Sequence, residues 1–214
     1  MAYRETDKVR ARKRTVRDAI LGAARDRIAA GGYAAAQIQA VAEDAGVATG
    51  TVYRYFDSKA DLCAEVFRSV VRHEVDAVDA AAHGTGSPAQ RLRAVVETFT
   101  RRALRAPRLA YALLAEPVDP LVEAERLLFR HTYARLIRDV LADGIAAGRF
   151  AAQDPDLAAA ALVGALNETL VGPLSPKPDT PAYDHPANDA AADDLVEGLT
   201  AFCLRAVAAG RSTS

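Results

Sequence analysis

Apolar residues recur at spacings of three and four along almost the whole chain, and no stretch alternates apolar and polar residues as a half-buried strand does. Alanine, the residue with the highest helix propensity, is frequent throughout. The 214 residues are half apolar, which is enough to bury a core in one or two domains. The sequence therefore predicts an all-α protein.

Capping residues, prolines and glycines divide this pattern into about nine helices. Typical caps precede four of them: Ser58, Ser87, Asp119 and Asp154. Asp61 stands where the acid of a capping box is expected, and five of the ten prolines fall in the connection 173–188. We predict helices over residues 13–30, 37–44, 48–55, 59–82, 88–106, 108–115, 120–148, 155–172 and 189–209.

The net charge of −1 hides an asymmetry between the two ends of the chain. Residues 1–59 carry 11 basic and 7 acidic side chains, whereas the other 155 residues carry 16 basic and 21 acidic ones. Within residues 1–17 there are seven basic and two acidic side chains. This split indicates a polyanion-binding head on a neutral-to-acidic body. A solvated, disordered N-terminal arm would show the same charges.

Several classes of protein receive no support from the sequence. No apolar run approaches the roughly 18 residues that span a bilayer, and the basic N-terminus lacks a signal-peptide core, so we expect a cytoplasmic protein with no membrane partner. Two cysteines fit a reducing compartment. The histidines show no metal-ligand spacing and no nucleotide-binding or catalytic motif stands out. We expect no cofactor, no metal and no enzymatic activity.

Residues 38–59 form the most informative window. Two short helices joined by a turn at Gly46 are typical of a helix-turn-helix, in which the second helix enters the DNA major groove. A glycine suits this turn because a left-handed backbone is costly for other residues. Ala42 allows the helices to cross closely, and three valines would hold them together: Val41, Val47 and Val52.

The second short helix and its surroundings offer small groups, hydroxyls and cations for base edges and phosphates. We expect these residues to face DNA: Thr49, Gly50, Thr51, Tyr53, Arg54, Tyr55 and Lys59. The N-terminal basic residues would add electrostatic affinity, also from the minor groove: Arg12, Lys13 and Arg14, together with Arg10.

The stretch AGVATGTVYRYFDSKADL, residues 45–62, resembles the DNA-binding core of the TetR family of bacterial repressors. Eleven positions match the family pattern in fixed register: Ala45, Gly46, Val47, Gly50, Thr51, Val52, Tyr53, Tyr55, Phe56, Lys59 and Leu62. The resemblance implies a DNA-binding domain over residues 1–57 and a helical ligand-binding and dimerisation domain over residues 58–214. It also implies a homodimeric repressor that a small-molecule inducer releases from a double-stranded operator.

Roles for single residues follow from this resemblance. It implies that Tyr53 and Lys59 contact phosphates, that Thr51 and Tyr55 lie along the groove, and that Gly50 permits close approach of the backbone. Gln39, near the start of the first short helix, would reach a base, for which the adenine edge is a good partner.

The chain departs from the family pattern before each short helix, where Thr or Ser is favoured and this chain has Ala36 and Ala48. Losing a cap costs about 0.5–2 kcal/mol of local helix stability. Either Thr49 takes over the second cap, or the motif is less stable off DNA than in its relatives.

The candidate ligand contacts are Glu74, Phe129, Tyr133 and Asn167. Glu74 lies at the centre of an apolar helix face, so it is either a functional group in a cavity or half of an ion pair with an arginine such as Arg102 or Arg126. Phe129 and Tyr133 face inward and are either core residues or ligand contacts. Asn167 interrupts an apolar run.

The last two long helices offer a candidate dimer interface. One presents a stripe of small residues around Glu168: Ala161, Gly164, Ala165 and Gly172. The other offers an apolar complement: Leu195, Leu199, Phe202 and Val207. An intrachain contact would look the same.

The alternative for the whole protein is a helical small-molecule-binding or catalytic protein that does not bind DNA, which would leave the basic N-terminus without a role.

Overall fold

The computed structural model describes residues 7–176 and 189–209. Within these ranges the chain forms nine α-helices and no strand, which confirms the all-α prediction. A short 3₁₀ turn, Tyr33–Ala35, lies between the first two helices. The helices are α1 (Asp7–Gly31), α2 (Ile38–Asp44), α3 (Thr49–Val52), α4 (Lys59–Ala82), α5 (Pro88–Arg105), α6 (Pro107–Leu114), α7 (Pro120–Ala146), α8 (Pro155–Leu174) and α9 (Asp189–Val207).

The predicted caps of the long helices are confirmed. The Ser58 hydroxyl accepts from the N–H of Asp61 at 3.0 Å, and Ser87 forms a full capping box with Gln90. The carboxylates of Asp119 and Asp154 cap α7 and α8. Each cap satisfies an N–H that has no partner inside its helix, so these four residues fix where their helices begin.

The first helix begins at Asp7 rather than at residue 13. No proline or glycine interrupts residues 7–13, the basic residues there are good helix formers, and Asp7 adds a favourable negative charge to the first turn. Arg12, Lys13 and Arg14 therefore lie on an exposed helix, and a disordered arm is wrong for residues 7–17. Residues 1–6 lie outside the described part of the chain.

The ends of several other predicted helices also need correction, including that of α7, which ends at Ala146 rather than at residue 148. The second short helix spans only Thr49–Val52, with residues 53–55 in turns; its N-cap is Ala48, so Thr49 does not take over the cap. The cap of α2 is Gln37, because Ala36 ends the 3₁₀ turn, and neither short helix has a side-chain cap bond. Helix α8 continues through Pro173 to Leu174, and α9 ends at Val207. Residues 177–188 of the proline-rich connection lie outside the described residues.

Helix α8 alone among the described helices is long and apolar enough to cross a membrane by length and composition, which corrects the expectation that no segment would be. Its mean hydropathy is 1.5, and a third of the stretch is buried in the protomer. Helices of soluble proteins meet the same test, so the finding is weak evidence for a membrane span.

One continuous hydrophobic core runs from the N-terminal helices into the C-terminal bundle. Helix α4 belongs to both parts, because Leu62 packs near its start and Val78 near its end. Around it, α1, α2 and α3 form what we call the head, and α5 to α9 form the body. The largest fully buried residues outside α4 come from both parts: Ile20, Ile28, Val41 and Val52 in the head, and Leu92, Ile137, Leu141, Leu166, Leu170 and Leu174 in the body.

Two arginines make the polar contacts around helix α6, Arg126 from α7 and Arg108 from the first turn of α6 itself. The buried guanidinium of Arg126 donates to the backbone oxygens of Ala112, Leu113 and Glu116, and so satisfies carbonyls that a helix end leaves without partners. Arg108 pairs with the Glu116 carboxylate at 2.8 Å. Arg126 therefore connects the C-terminal end of this eight-residue helix to α7.

The same Glu116 carboxylate holds the head. Its second oxygen accepts from the backbone N–H of Tyr33 at 3.1 Å, just after α1. The preceding Gly32 has φ 73° and ψ −173°, a conformation open essentially to glycine alone. A Cβ there would lie 1.7 Å from an Arg108 nitrogen and 2.4 Å from the Glu116 oxygens. We call Gly32, Tyr33, Arg108 and Glu116 the α6 clamp.

Replacing Gly32 and Gly46 in turn tests the α6 clamp. Both glycines have φ near +70°, but a Cβ on Gly46 would meet nothing within 4 Å. Gly46→Ala should lower the free energy of unfolding by about 1–2 kcal/mol, the cost of a left-handed residue. Gly32→Ala should cost at least about 1 kcal/mol more, because it also breaks the Glu116 contacts. Urea unfolding measures both, and equal losses would mean that the clamp adds no stability.

Candidate DNA-binding surface and ligand cavity

The head contains the predicted helix-turn-helix. Gly46 has φ 65°, and the chain reverses there through two bonds: Gly46 N–H donates to Glu43 O at 3.0 Å, and Val47 N–H to Ala42 O at 2.9 Å. This is the usual left-handed end of a helix, and it confirms the role of Gly46. Val41, Ala42 and Val52 are buried between the helices, whereas Val47 is half-buried.

An ion pair fixes the helix-turn-helix to α1. The Arg27 guanidinium donates two bonds to the carboxylate of Asp44, at 2.6 and 2.9 Å. These bonds hold the pKa of Asp44 below its usual value. Because Asp44 is the last residue of α2, the pair sets the position of the turn relative to α1.

None of the candidate DNA contacts is buried in the protomer. Four are exposed in the helix-turn-helix region: Gln39, Gly50, Tyr53 and Arg54. Four are half-buried: Thr49, Thr51, Tyr55 and Lys59. Tyr53 exposes 52% of its surface, which is unusual for an aromatic residue, and Lys59 is the first residue of α4. Arg12, Lys13 and Arg14 are exposed on the first half of α1.

The body holds an apolar cavity between α4, α5, α6 and α7, with a volume of about 60 Å³. Three of the four predicted ligand residues line it: Glu74, Phe129 and Tyr133. The sequence reasoning missed the remaining wall, which is Val70, Val71, Phe99, Arg102, Ala103, Ala106, Leu109, Ala110, Leu113 and Leu114. Spacings of three and four on α5, from Phe99 to Ala106, were the available signal for part of it.

The structure pairs Glu74 with Arg102. The guanidinium donates to both carboxylate oxygens, at 2.5 and 3.0 Å, across from α5 to α4. This pair keeps about a third of each side chain exposed, and it also borders the cavity. Glu74 is therefore half of an ion pair at the edge of the cavity, and its partner is not Arg126, because that arginine binds the end of α6.

Three aromatic rings form the floor of the cavity. Tyr133 lies edge to face with Phe129 and Phe99, at centroid distances of 4.4 and 5.1 Å, and Phe129 meets Phe67 at 6.0 Å. Burial, reinforced by the nearby Glu74 charge, raises the pKa of the Tyr133 hydroxyl, so it stays neutral. Each such edge-to-face pair contributes about 0.5–1.5 kcal/mol beyond the area that the rings bury.

Asn167 lies away from this cavity. It borders a groove between α7 and α8, together with Arg130, His131 and Glu168. An interrupted apolar run shows only that one residue leaves the core and not where it points. Asn167 is therefore separate from Glu74, Phe129 and Tyr133.

The predicted interface on the last two long helices is partly exposed. Ala161, Gly164 and Gly172 are exposed, and a Cβ on either glycine would meet nothing within 4 Å. On α9, Phe202 is half-exposed. Leu199 and Val207 are buried inside the protomer, so they cannot complement a second subunit, because that face of α9 packs on α5.

Two family models match separate stretches of the chain. The model for bacterial regulatory proteins of the tetR family matches residues 20–66, which contain the helix-turn-helix. A model for a tetracyclin repressor-like C-terminal domain matches residues 85–171. The chain belongs to the TetR family. Known relatives and solved structures agree with this assignment.

The transcriptional repressor KstR of Mycolicibacterium smegmatis is 41% identical to this TetR-family chain over 108 residues, 49% of each protein. The match thus spans about half the length of that relative. A TetR/AcrR regulator of Thermobifida fusca has a similar structure, with a TM-score of 0.67 and 28% identity over 88% of this chain and 96% of that one. Bacillus subtilis FadR, solved in complex with stearoyl-CoA, shares the fold, with a TM-score of 0.72 and 21% identity over 88% and 98%.

Proposed function

We propose that this TetR-family chain is a homodimeric DNA-binding repressor, located in the cytoplasm, that a small-molecule ligand releases from its operator. The observation that carries the proposal is the helix-turn-helix with its exposed polar residues, placed on one end of a helical body that encloses an apolar cavity. We assign DNA binding to residues 1–57 and ligand binding and dimerisation to residues 58–214. Catalysis has no part in this mechanism.

The head would read DNA through two kinds of contact. Tyr53 and Lys59 would hold phosphates, since Tyr53 is exposed and Lys59 opens α4, where free N–H groups also favour an anion. The surface of α3 would enter the major groove, with Gly50 admitting the DNA backbone closely and Thr51 near base edges. In a dimer two such heads would meet half-sites about 34–36 Å apart.

The basic residues of α1 would approach the duplex from outside its grooves. A minor groove only about 6 Å wide cannot admit an α-helix about 10 Å across. Because Arg12 and Arg14 lie on the helical part of α1, they would approach phosphates on the outside of the duplex. Their contribution to affinity would then be electrostatic and independent of sequence.

Removing the Lys59 charge tests the DNA contact. Lys59→Ala should weaken binding to all sequences about equally and should reduce the slope of log affinity against log salt by about 1, because one phosphate contact is lost. Gel-shift titrations against the DNA upstream of its own gene measure both. Arg149→Ala is the control, since it removes one exposed positive charge from the loop that follows α7. An unchanged slope in Lys59→Ala would refute the assignment.

The ligand would occupy the cavity in the body. A volume of about 60 Å³ is well below the roughly 300–1,000 Å³ of small-molecule sites, so the cavity must open on binding. We expect the wall from α6 to move, because α6 is short and its aliphatic residues lack the edge-to-face ring contacts of the aromatic wall. Since the α6 clamp joins this helix to the head, the movement would reach the DNA-binding residues.

The apolar wall of the cavity and the Glu74–Arg102 ion pair at its edge together favour a ligand with an apolar body and a polar end. FadR of Bacillus subtilis was solved with stearoyl-CoA, so an acyl-CoA is a reasonable first probe. In this chain the acyl part would enter the apolar cavity, and Arg102, freed from Glu74, would meet a polar group of the ligand.

Glu74→Gln tests this placement with two measurements on one variant. Operator affinity and melting temperature should stay close to those of the unaltered chain. The stearoyl-CoA concentration that releases half of the protein from its operator should change about tenfold. Glu97→Gln is the control, because Glu97 pairs with Arg93 within α5, away from the cavity. A lower melting temperature with normal release would make Glu74 only the partner of Arg102.

Dimerisation would use the exposed face of α8 together with α9. Helix α8 has a mean hydropathy of 1.5 although only a third of it is buried, and Leu157 on its first turn is 71% exposed. The small residues at positions 161, 164 and 172 leave room for close approach of a second helix. A symmetric contact would bury this surface in both subunits at once.

Gly164→Arg should convert the dimer into a monomer in sedimentation velocity, because the long charged side chain would occupy the contact surface. Within the protomer the same substitution has open space, so the melting temperature of the monomer should show an intact fold. Gly22→Arg, on a helical glycine of α1 with equally open surroundings, should remain dimeric. A stable dimer in Gly164→Arg would refute this interface.

A further inference from the structure

A chain of four alternating charges crosses from the head to the body. On the head side, Arg17 of α1 pairs with Glu65 of α4 at 2.8 Å. The same guanidinium lies 5.4 Å from the ring centroid of Phe56, the buried residue that follows the helix-turn-helix. Arg17 therefore attaches both α1 and the end of the helix-turn-helix to the first turns of α4.

Glu65 is shared between two arginines. Arg68, one turn further along α4, donates to Glu65 at 2.6 Å. The hydrogen bond from Arg17 is the largest influence that holds the pKa of Glu65 below its usual value, with Arg68 adding to it. Glu65 is thus ionised at neutral pH and keeps both guanidinium groups in place.

This series of paired charges ends at Glu125 on α7. The other terminal nitrogen of Arg68 meets the carboxylate of Glu125 at 2.6 Å. The four side chains are between 21% and 38% exposed, so solvent screens their attraction less than that of a fully exposed pair. Their charges cancel, and each group except the two ends is bound on both sides. We call Arg17, Glu65, Arg68 and Glu125 the ionic chain.

The body end of the ionic chain lies beside the cavity. Glu125 precedes the cavity residue Phe129 by one helical turn, so the two share a face of α7. Phe129 in turn packs against Phe67, the neighbour of Arg68 on α4. A displacement of α7 at the cavity would therefore act on the Arg68–Glu125 bond. This connection is separate from the α6 clamp, which reaches the head at Gly32 and Tyr33.

We propose that Glu125 is a positioning residue for DNA recognition: through Arg68 and Glu65 it fixes the orientation of the head relative to the body, and it touches no DNA itself. The inference rests on the proposed function. In a dimer, the second head binds its half-site at an effective concentration that depends on how rigidly it is held. Loosening the head should therefore weaken binding to a full operator and leave the contact of one head with one half-site unchanged.

Glu125→Gln removes the negative charge that ends the ionic chain and leaves Arg68 a weaker, neutral acceptor, while Arg68 keeps its bond to Glu65. The ratio of full-operator to half-site affinity should fall about fivefold, with half-site affinity unchanged. Asp139→Asn is the matched control, because it removes the same charge from α7, where Asp139 pairs only with the adjacent Arg138. Glu125→Asp keeps the carboxylate and should restore most of the ratio. Gel shifts on the two DNAs and a melting curve for each variant supply the data.

Three results would overturn the inference. The ratio could stay unchanged in Glu125→Gln, it could fall equally in Asp139→Asn, or both affinities could fall together with the melting temperature, as for a residue that only stabilises the fold. A distinct result concerns the proposed function. If the unaltered protein bound neither DNA, or bound full and half operators equally well, DNA binding by a dimer would itself be wrong, and the positioning role would fall with it.

Discussion

The burial of helix α4 in two different surroundings is the constraint on which the structure depends. Its first turns pack against the head through Leu62, and its later turns pack in the body through Phe67 and Val78. The hydrophobic core is therefore continuous, and the head cannot shift without disturbing contacts that also stabilise the body. The Ser58 cap fixes where this helix begins, next to the candidate phosphate contact Lys59.

Polar contacts determine the orientation of the head relative to that shared core. The α6 clamp joins the end of α1 to α6, and the ionic chain joins its middle to α4 and α7. Both α6 and α7 line the cavity, on its aliphatic and aromatic sides respectively. Packing alone would allow small sliding motions, whereas hydrogen-bonded charges have narrow geometric preferences. A ligand that parts these two helices would act on two different places in the head.

Much of the candidate DNA site could be predicted because its signals are local. The turn at Gly46 requires a left-handed residue, and the spacing of Val41, Ala42 and Val52 determines which faces of two short helices meet. The N-terminal helix was predicted too short because nothing in residues 7–13 opposes helix and no cap marks its start. The ligand site could be predicted only in part. Glu74 was identified as unusual, but its partner Arg102 lies 28 residues away, and several arginines could have taken that place.

Local signals are sufficient to predict the all-α class, the position of most helices and the helix-turn-helix, because caps, glycines and apolar periodicity act within a few residues along the chain. The pairing of charges depends instead on the folded chain, because an arginine reaches any carboxylate that the fold brings within a few ångströms. That is why Arg126 binds the end of α6 rather than Glu74, and why Asn167 lies apart from the cavity. Leu199 and Val207 are buried in the core of the protomer for the same reason. A helix presents apolar residues to each helix that it contacts, and its sequence does not show whether that helix belongs to the same subunit or to a second one.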